Sequence, residues 1–127
     1  MSARLLVAVA IGAALGSLAR YLVTVAALAA LGAHFPLGTL SANVAGSFLI
    51  ALLARREAAG AFGQTASDFW LAGLCGGFTT FSVFSLETLV FLDAGRPGMA
   101  ALYVAASLVL WLGAAALGWR LGAPRSP

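Results

Sequence analysis

Apolar residues fill four long runs of this chain, and the polar residues inside them recur at helical spacing. The runs extend from about Arg4 to Leu31, Leu37 to Ala54, Phe69 to Leu92 and Pro97 to Trp119. A membrane-crossing helix needs about 20 apolar residues. The second run, about 18 residues or about 27 Å, lies near the lower limit. The pattern predicts an all-α membrane protein: one domain, residues 1–127, of four transmembrane helices. Residues 32–36, 55–67 and 93–98 connect them, and Pro36 suits a helix start. The third run is interrupted at its middle by Gly76-Gly77-Phe78-Thr79-Thr80-Phe81-Ser82-Val83-Phe84-Ser85. Adjacent glycines followed by β-branched threonines weaken a helix at one point, so a break is expected there. Backbone unwinds at membrane depth only where protein or a wet cavity covers it. Its exposed carbonyls can then coordinate a cation. If helix resumes beyond the break, Phe81 and Phe84 share a face.

The other runs carry polar residues four apart. Thr39, Asn43 and Ser47 form a stripe on the second helix. Asn43 is the only asparagine, and an amide in hydrocarbon is expensive without partners. Interhelical glue and pore lining both fit it. On the fourth helix, Tyr103 and Ser107 begin a similar stripe, which Trp111 interrupts. Tyr103 also fits an interfacial aromatic, and Ser107 a hydroxyl bonded to backbone. On the first helix, Gly12 and Gly16 have the spacing that lets helices approach closely, and Arg20 continues their face. Arg20 either snorkels to an interface or points into protein or a wet cavity.

Composition agrees with a membrane protein. The chain is 62% hydrophobic and 9% charged, with a mean hydropathy of +1.03; soluble domains carry about 25% charged residues. The apolar run from Leu5 is too long for a cleaved signal, whose core is about 7–15 residues. The net charge of +3 comes without lysine and without a basic patch interleaved with aromatics, so nucleic acid is not an expected partner. Cys75 is alone, so no internal disulfide can form, and packing is its expected role. No nucleophile–base pairing is visible for an enzyme.

The string Gly-Gly-x-Thr-Thr-Phe-Ser-x-Phe at residues 76–84 resembles the signature of the Fluc (CrcB) family of fluoride channels. Gly38-Thr39-Leu40, Asn43 and Gly46-Ser47-Phe48 match that family's second helix. The resemblance implies a passive, fluoride-selective channel in the bacterial plasma membrane that lowers the toxic ion in the cytoplasm. It implies a dual-topology dimer of two antiparallel subunits with two pores. An anion pathway is implied along Thr39, Asn43, Phe81, Ser82, Phe84, Tyr103 and Ser107, with Arg20 near an aqueous vestibule. A structural Na⁺ is implied at the dimer centre, held by the backbone carbonyls of Gly76 and Thr79, with glycine freeing the carbonyl to turn out of the helix. Val83 replaces the family's usual Thr and Ala51 a common Gly; Trp111 ends the polar track on the fourth helix.

Loop charge bears on the dimer. Four spans put Arg4, Arg55, Arg56, Arg120 and Arg125 on one side and Arg96 on the other. That bias favours cytoplasmic termini, whereas a homodimer inserting both ways needs little bias. The partner is therefore a second copy or an oppositely oriented sister subunit. A small multidrug-type, proton-coupled exporter is the competing function, but it wants a carboxylate in the first helix, which has only Arg20. A structural assembly factor would need neither Asn43 nor the third-helix string. The role of Glu87 stays open.

Overall fold

A computed structural model describes residues 2–123. Arg125, one of the charges in the orientation argument, lies outside the described residues. The described chain is all-helical, with four stretches long and apolar enough to cross a membrane: Ala3–Leu31, Leu37–Ala58, Gln64–Asp93 and Pro97–Leu121. Helices α1 (Ala3–Leu31) and α2 (Leu37–Ala58) are continuous. The third span is composite: α3 (Gln64–Ser67), a π-helical segment (Asp68–Cys75), α4 (Gly76–Phe78), two extended residues, then α5 (Phe81–Asp93). Helix α6 (Pro97–Leu121) completes the fold, with Pro97 in its first turn.

The second helix runs past the expected Ala54. Arg55 and Arg56 occupy its last turn, where cations suit the negative end of the helix dipole. The Arg55 guanidinium also lies 5.1 Å from the Trp119 ring centre, tying the ends of α2 and α6 together. In the loop that follows, Ser67 Oγ donates to Glu57 Oε1, and Gln64 Nε2 donates to Asp68 Oδ1 at 3.0 Å. Each connecting turn contains a glycine with left-handed φ: Gly32 and Gly60 at 78° and Gly95 at 68°.

Backbone-to-backbone packing sets the helix order. Gly12 of α1 and Gly73 of the third span meet reciprocally, Gly16 lies against Leu74, Gly77 and Phe78, and Gly77 lies against Ala13. A Cβ on any of these four glycines would overlap main-chain atoms of the other helix. Gly118 and Gly122 bring α6 equally close to Phe48 and Leu52 of α2. The apolar core lies between α2, α5 and α6 and contains Leu40, Phe84, Phe91, Ala100 and Tyr103. Much of the remaining apolar surface faces outward; Val109 and Leu112, for example, are each 70% exposed. Such a surface suits lipid or another subunit and not water.

The break differs from expectation in one respect. Gly76 is helical, with φ −62° and ψ −40°, and no glycine here has a left-handed φ. The unwound residues are Thr79 (φ −87°, ψ 156°) and Thr80 (φ −150°, ψ 124°). Gly77 is required for close approach to Ala13, not for backbone freedom. The expected conformational role of the glycines is therefore corrected. The β-branched threonines adopt the extended backbone that such residues favour.

Candidate functional site at the helix break

Each threonine finishes one side of the break. The Thr79 N–H and hydroxyl both donate to Cys75 O, at 3.0 and 2.9 Å, closing the incoming helix. The Thr80 hydroxyl accepts from Val83 N–H at 3.2 Å, the side-chain cap that starts α5. Ser82, exposed at the surface, places its Oγ 3.2 Å from the same hydroxyl.

The Thr80 backbone is then left without helical partners, and Asn43 supplies them. Thr80 N–H donates to Asn43 Oδ1 at 2.7 Å, and Asn43 Nδ2 donates to Thr80 O at 2.8 Å. A side-chain amide has the donor and acceptor needed for this two-point clamp. Asn43 is only 4% exposed, so its interactions are made away from bulk water. Gly46, one turn along α2, makes room for Thr79: a Cβ there would strike the Thr79 methyl group.

Arg20 also works on the broken backbone. Its Nε–H donates to Gly77 O at 3.4 Å, and Ser17 Oγ reaches the same carbonyl at 3.4 Å. A helix ending at Phe78 leaves its last carbonyls unpaired, and a guanidinium suits that negative end. This contact fits the reading in which Arg20 points toward protein.

Beyond the break the two phenylalanines behave differently. Their ring centres are 5.4 Å apart, so they do share a face of α5. Phe84 is buried and lies 5.1 Å from the Tyr103 ring and 4.8 Å from that of Trp111. Phe81 is 69% exposed.

Glu87, whose role the sequence left open, sits midway along α5 and joins polar residues of α2 and α6. Thr39 Oγ1 donates to Glu87 Oε1 at 2.7 Å, and Tyr103 OH donates to Glu87 Oε2 at 2.6 Å. Thr39 and the fully buried Tyr103 each have one hydroxyl proton and give it to this carboxylate. They are therefore engaged, not open donors. Tyr103 is a core residue, not an interfacial one. A cavity of about 310 Å³ adjoins the cluster, lined among others by Thr24, Gly38, Thr39, Glu87, Phe91 and Arg96. Glu87→Gln keeps one acceptor and leaves one hydroxyl without a partner. It is expected to lower unfolding stability by about 1–3 kcal/mol, read as a lowered denaturation midpoint in detergent. An unchanged midpoint would mean that the cluster contributes no stability.

The two polar rows predicted on the second and fourth helices come out side by side. Thr39, Asn43 and Ser47 lie on α2, and Tyr103, Ser107 and Trp111 on the neighbouring α6. Eight residues of helix carry each row about 12 Å. Ser107 Oγ and Trp111 Nε1 are buried without a hydrogen-bond partner, and they are the two such side-chain atoms among the described residues. A second cavity, about 230 Å³, is lined by Asn43, Ser47, Thr79, Thr80, Phe81 and Trp111, with Ile50. The site therefore joins the unwound backbone, its asparagine clamp, the aromatic pair and both polar rows. Sequence reasoning left Glu87 without a role, took Gly46 only as part of a motif, and did not single out Ser17. Of these, only Gly46 carried a signal, lying one turn from Asn43.

Known proteins resemble this chain over most of its length. A protein called fluoride-specific ion channel FluC from Thermus thermophilus is 50% identical over 114 residues, covering 90% of this chain and 91% of that protein. A protein of the same name from Nitrobacter winogradskyi is 47% identical over 86% of this chain and 87% of its own. The one from Agrobacterium fabrum is 45% identical over 90% and 92%. Residues 7–119 match the family model described as CrcB-like protein, Camphor Resistance (CrcB). With that match spanning all four membrane-length helices, this chain belongs to the CrcB family.

Proposed function

We propose that this chain is a fluoride-selective membrane channel, passive and not an enzyme, through which the ion leaves the cytoplasm. The observation that carries the reading is the unwound Thr79–Thr80 backbone, clamped by Asn43 beside Phe81 and Phe84. The names of the relatives point the same way. Fluoride is small and strongly hydrated, so a protein that passes it must replace water's donors without holding the ion tightly. Asn43 retains one amide N–H beyond its bond to Thr80. Ser82 and Ser107 add hydroxyls. Phenyl edges carry partial positive charge, so Phe81 and Phe84 can meet a dehydrated anion edge-on and bind it weakly. Thr39 and Tyr103 donate to Glu87, so they turn to the ion only where those two hydrogen bonds open. Arg20 gives its Nε–H to Gly77, and its terminal nitrogens attract the anion from a vestibule.

The functional unit in this reading is an antiparallel dimer, with a second copy or a sister subunit. The exposure of Phe81 and Gly76 beside the break supports it, since a partner can cover both. The carbonyls of Gly76 and Thr79 receive no hydrogen bond from the described chain, unlike that of Gly77. These neutral oxygens fit a structural Na⁺, which would hold the two breaks together at the dimer centre and neutralise the exposed carbonyls. The exporter reading has less support: Glu87 is occupied by two hydroxyls, and α1 has no acid.

Vesicles loaded with fluoride and chloride test the proposal, with an electrode for each ion. Rapid loss of fluoride with chloride retained is the expected result. Well-folded protein that passes no fluoride, alone or with an oppositely oriented sister chain, would overturn it.

A further inference from the structure

Trp111 stands where the polar row of α6 was expected to end, yet its indole does not behave as filler. Its Nε1–H is buried and unpaired, and so is the Ser107 hydroxyl one turn earlier. An indole nitrogen can only donate, so nothing but an acceptor can satisfy it. A buried donor left unmade is costly, and native structures rarely keep one without reason.

The surroundings indicate what the acceptor is. Trp111 lines the second cavity with Asn43, Ser47, Thr79, Thr80 and Phe81. The Asn43 acceptor oxygen is already taken by Thr80 N–H, while one Asn43 amide hydrogen is left over. No Asp, Glu, Lys or Arg lines this cavity. The two buried side-chain atoms left unpaired on this side of the chain, Trp111 Nε1 and Ser107 Oγ, can both donate, and no charged residue lines the cavity beside them. A small anion can accept from several such donors at once. The Phe84 ring lies against the indole, with ring centres 4.8 Å apart and the planes at 71°.

We infer that Trp111 is an anion-contacting residue, its indole N–H donating to a dehydrated small anion between the α2 and α6 polar rows. This rests on the channel reading but makes a separate claim about one atom. It extends the α6 row by a turn, from Tyr103 through Ser107 to Trp111, with an N–H in place of a hydroxyl.

The test is an indole ¹⁵N–¹H spectrum of the whole protein in lipid nanodiscs, titrated with sodium fluoride and, in parallel, with sodium chloride. Trp70 and Trp119, 41% and 46% exposed, serve as internal references. The expected result is a downfield shift of the Trp111 N–H with fluoride and none with chloride, the other two indoles unmoved. Trp111→Phe assigns the resonance and keeps an aromatic ring while removing the donor. That variant is expected to fold, to keep the Phe84 contact, and to lose about tenfold in fluoride flux. A Trp111 resonance that fluoride leaves in place, or that chloride moves equally, would overturn the inference. So would wild-type flux through Trp111→Phe. Failure of the channel reading looks different: wild-type vesicles then lose no fluoride, whatever the indole does.

Discussion

Gly77→Ala is expected to remove most of the folded protein, although it adds one methyl group. That methyl would sit on the Ala13 main chain, with Cα at 2.9 Å, the carbonyl carbon at 3.0 Å and the oxygen closer still. Ordinary overpacking costs about 1–3 kcal/mol because side chains rotate aside. Here both sides of the contact are backbone, so α1 and the third span must separate, and the cost lies at or above the top of that range. Separation would also pull Gly77 O away from Ser17 and Arg20. Two neighbouring experiments give the comparison its sign. At Gly113 in α6 an added Cβ meets nothing within 4 Å, so Gly113→Ala should keep or raise stability, by up to about 1 kcal/mol from helix propensity. At Gly76 the nearest atom is Leu71 O at 3.9 Å, so Gly76→Ala should fold, and under the proposed sodium-bridged dimer any loss should appear in sodium dependence or subunit pairing. The measurement is the yield of folded protein after mild-detergent extraction, with its denaturation midpoint. Wild-type behaviour of Gly77→Ala would sink the packing account.

That contrast between adjacent glycines also marks what was legible in the sequence. The four spans could be read because an apolar run of about 20 residues has few other uses. The break could be read because Gly-Gly-Thr-Thr is a poor helix sequence. Which of its residues unwound could not, because the decision is tertiary. Ala13 holds Gly77 in register, and Asn43, 37 residues away, holds Thr80 out of it. The π-helical stretch Asp68–Cys75 left no mark either, since periodicity over eight residues does not separate a π from an α turn. The polar rows were visible as four-residue spacing, but their partners were not. Thr39 and Glu87 are 48 positions apart, and nothing local links them. Phe81 and Phe84 illustrate the same limit: spacing put them on one face, and only the packed helices bury one ring and expose the other.

Asn43→Ala should abolish conduction through loss of the clamp, and the clamp's own bonds show how to prove the cause. The substitution leaves Thr80 N–H and Thr80 O without partners in a site that is 4% exposed at position 43. Each orphaned group costs about 1–3 kcal/mol, so the expected loss of stability is about 2–6 kcal/mol, unless Thr80 rewinds into helix. Rewinding would itself remodel the site, because Thr80 would no longer cap α5 with its hydroxyl. Fluoride flux is expected to fall at least about a hundredfold, a barrier change of about 2.7 kcal/mol. Asn43→Asp separates the two bonds. A carboxylate still accepts from Thr80 N–H but faces Thr80 O with a second acceptor, and it puts a negative charge beside the proposed anion path. Its stability should fall less than that of Asn43→Ala and its flux at least as far. Amide exchange at Thr80 distinguishes clamp from direct donor. In the wild type that N–H is held at 2.7 Å by Asn43 and should exchange slowly. In Asn43→Ala it should exchange much faster, while the neighbouring Thr79 amide, bonded to Cys75 O, stays protected. If flux disappears while the Thr80 amide remains protected, the broken backbone holds itself. Asn43 then acts on the ion alone.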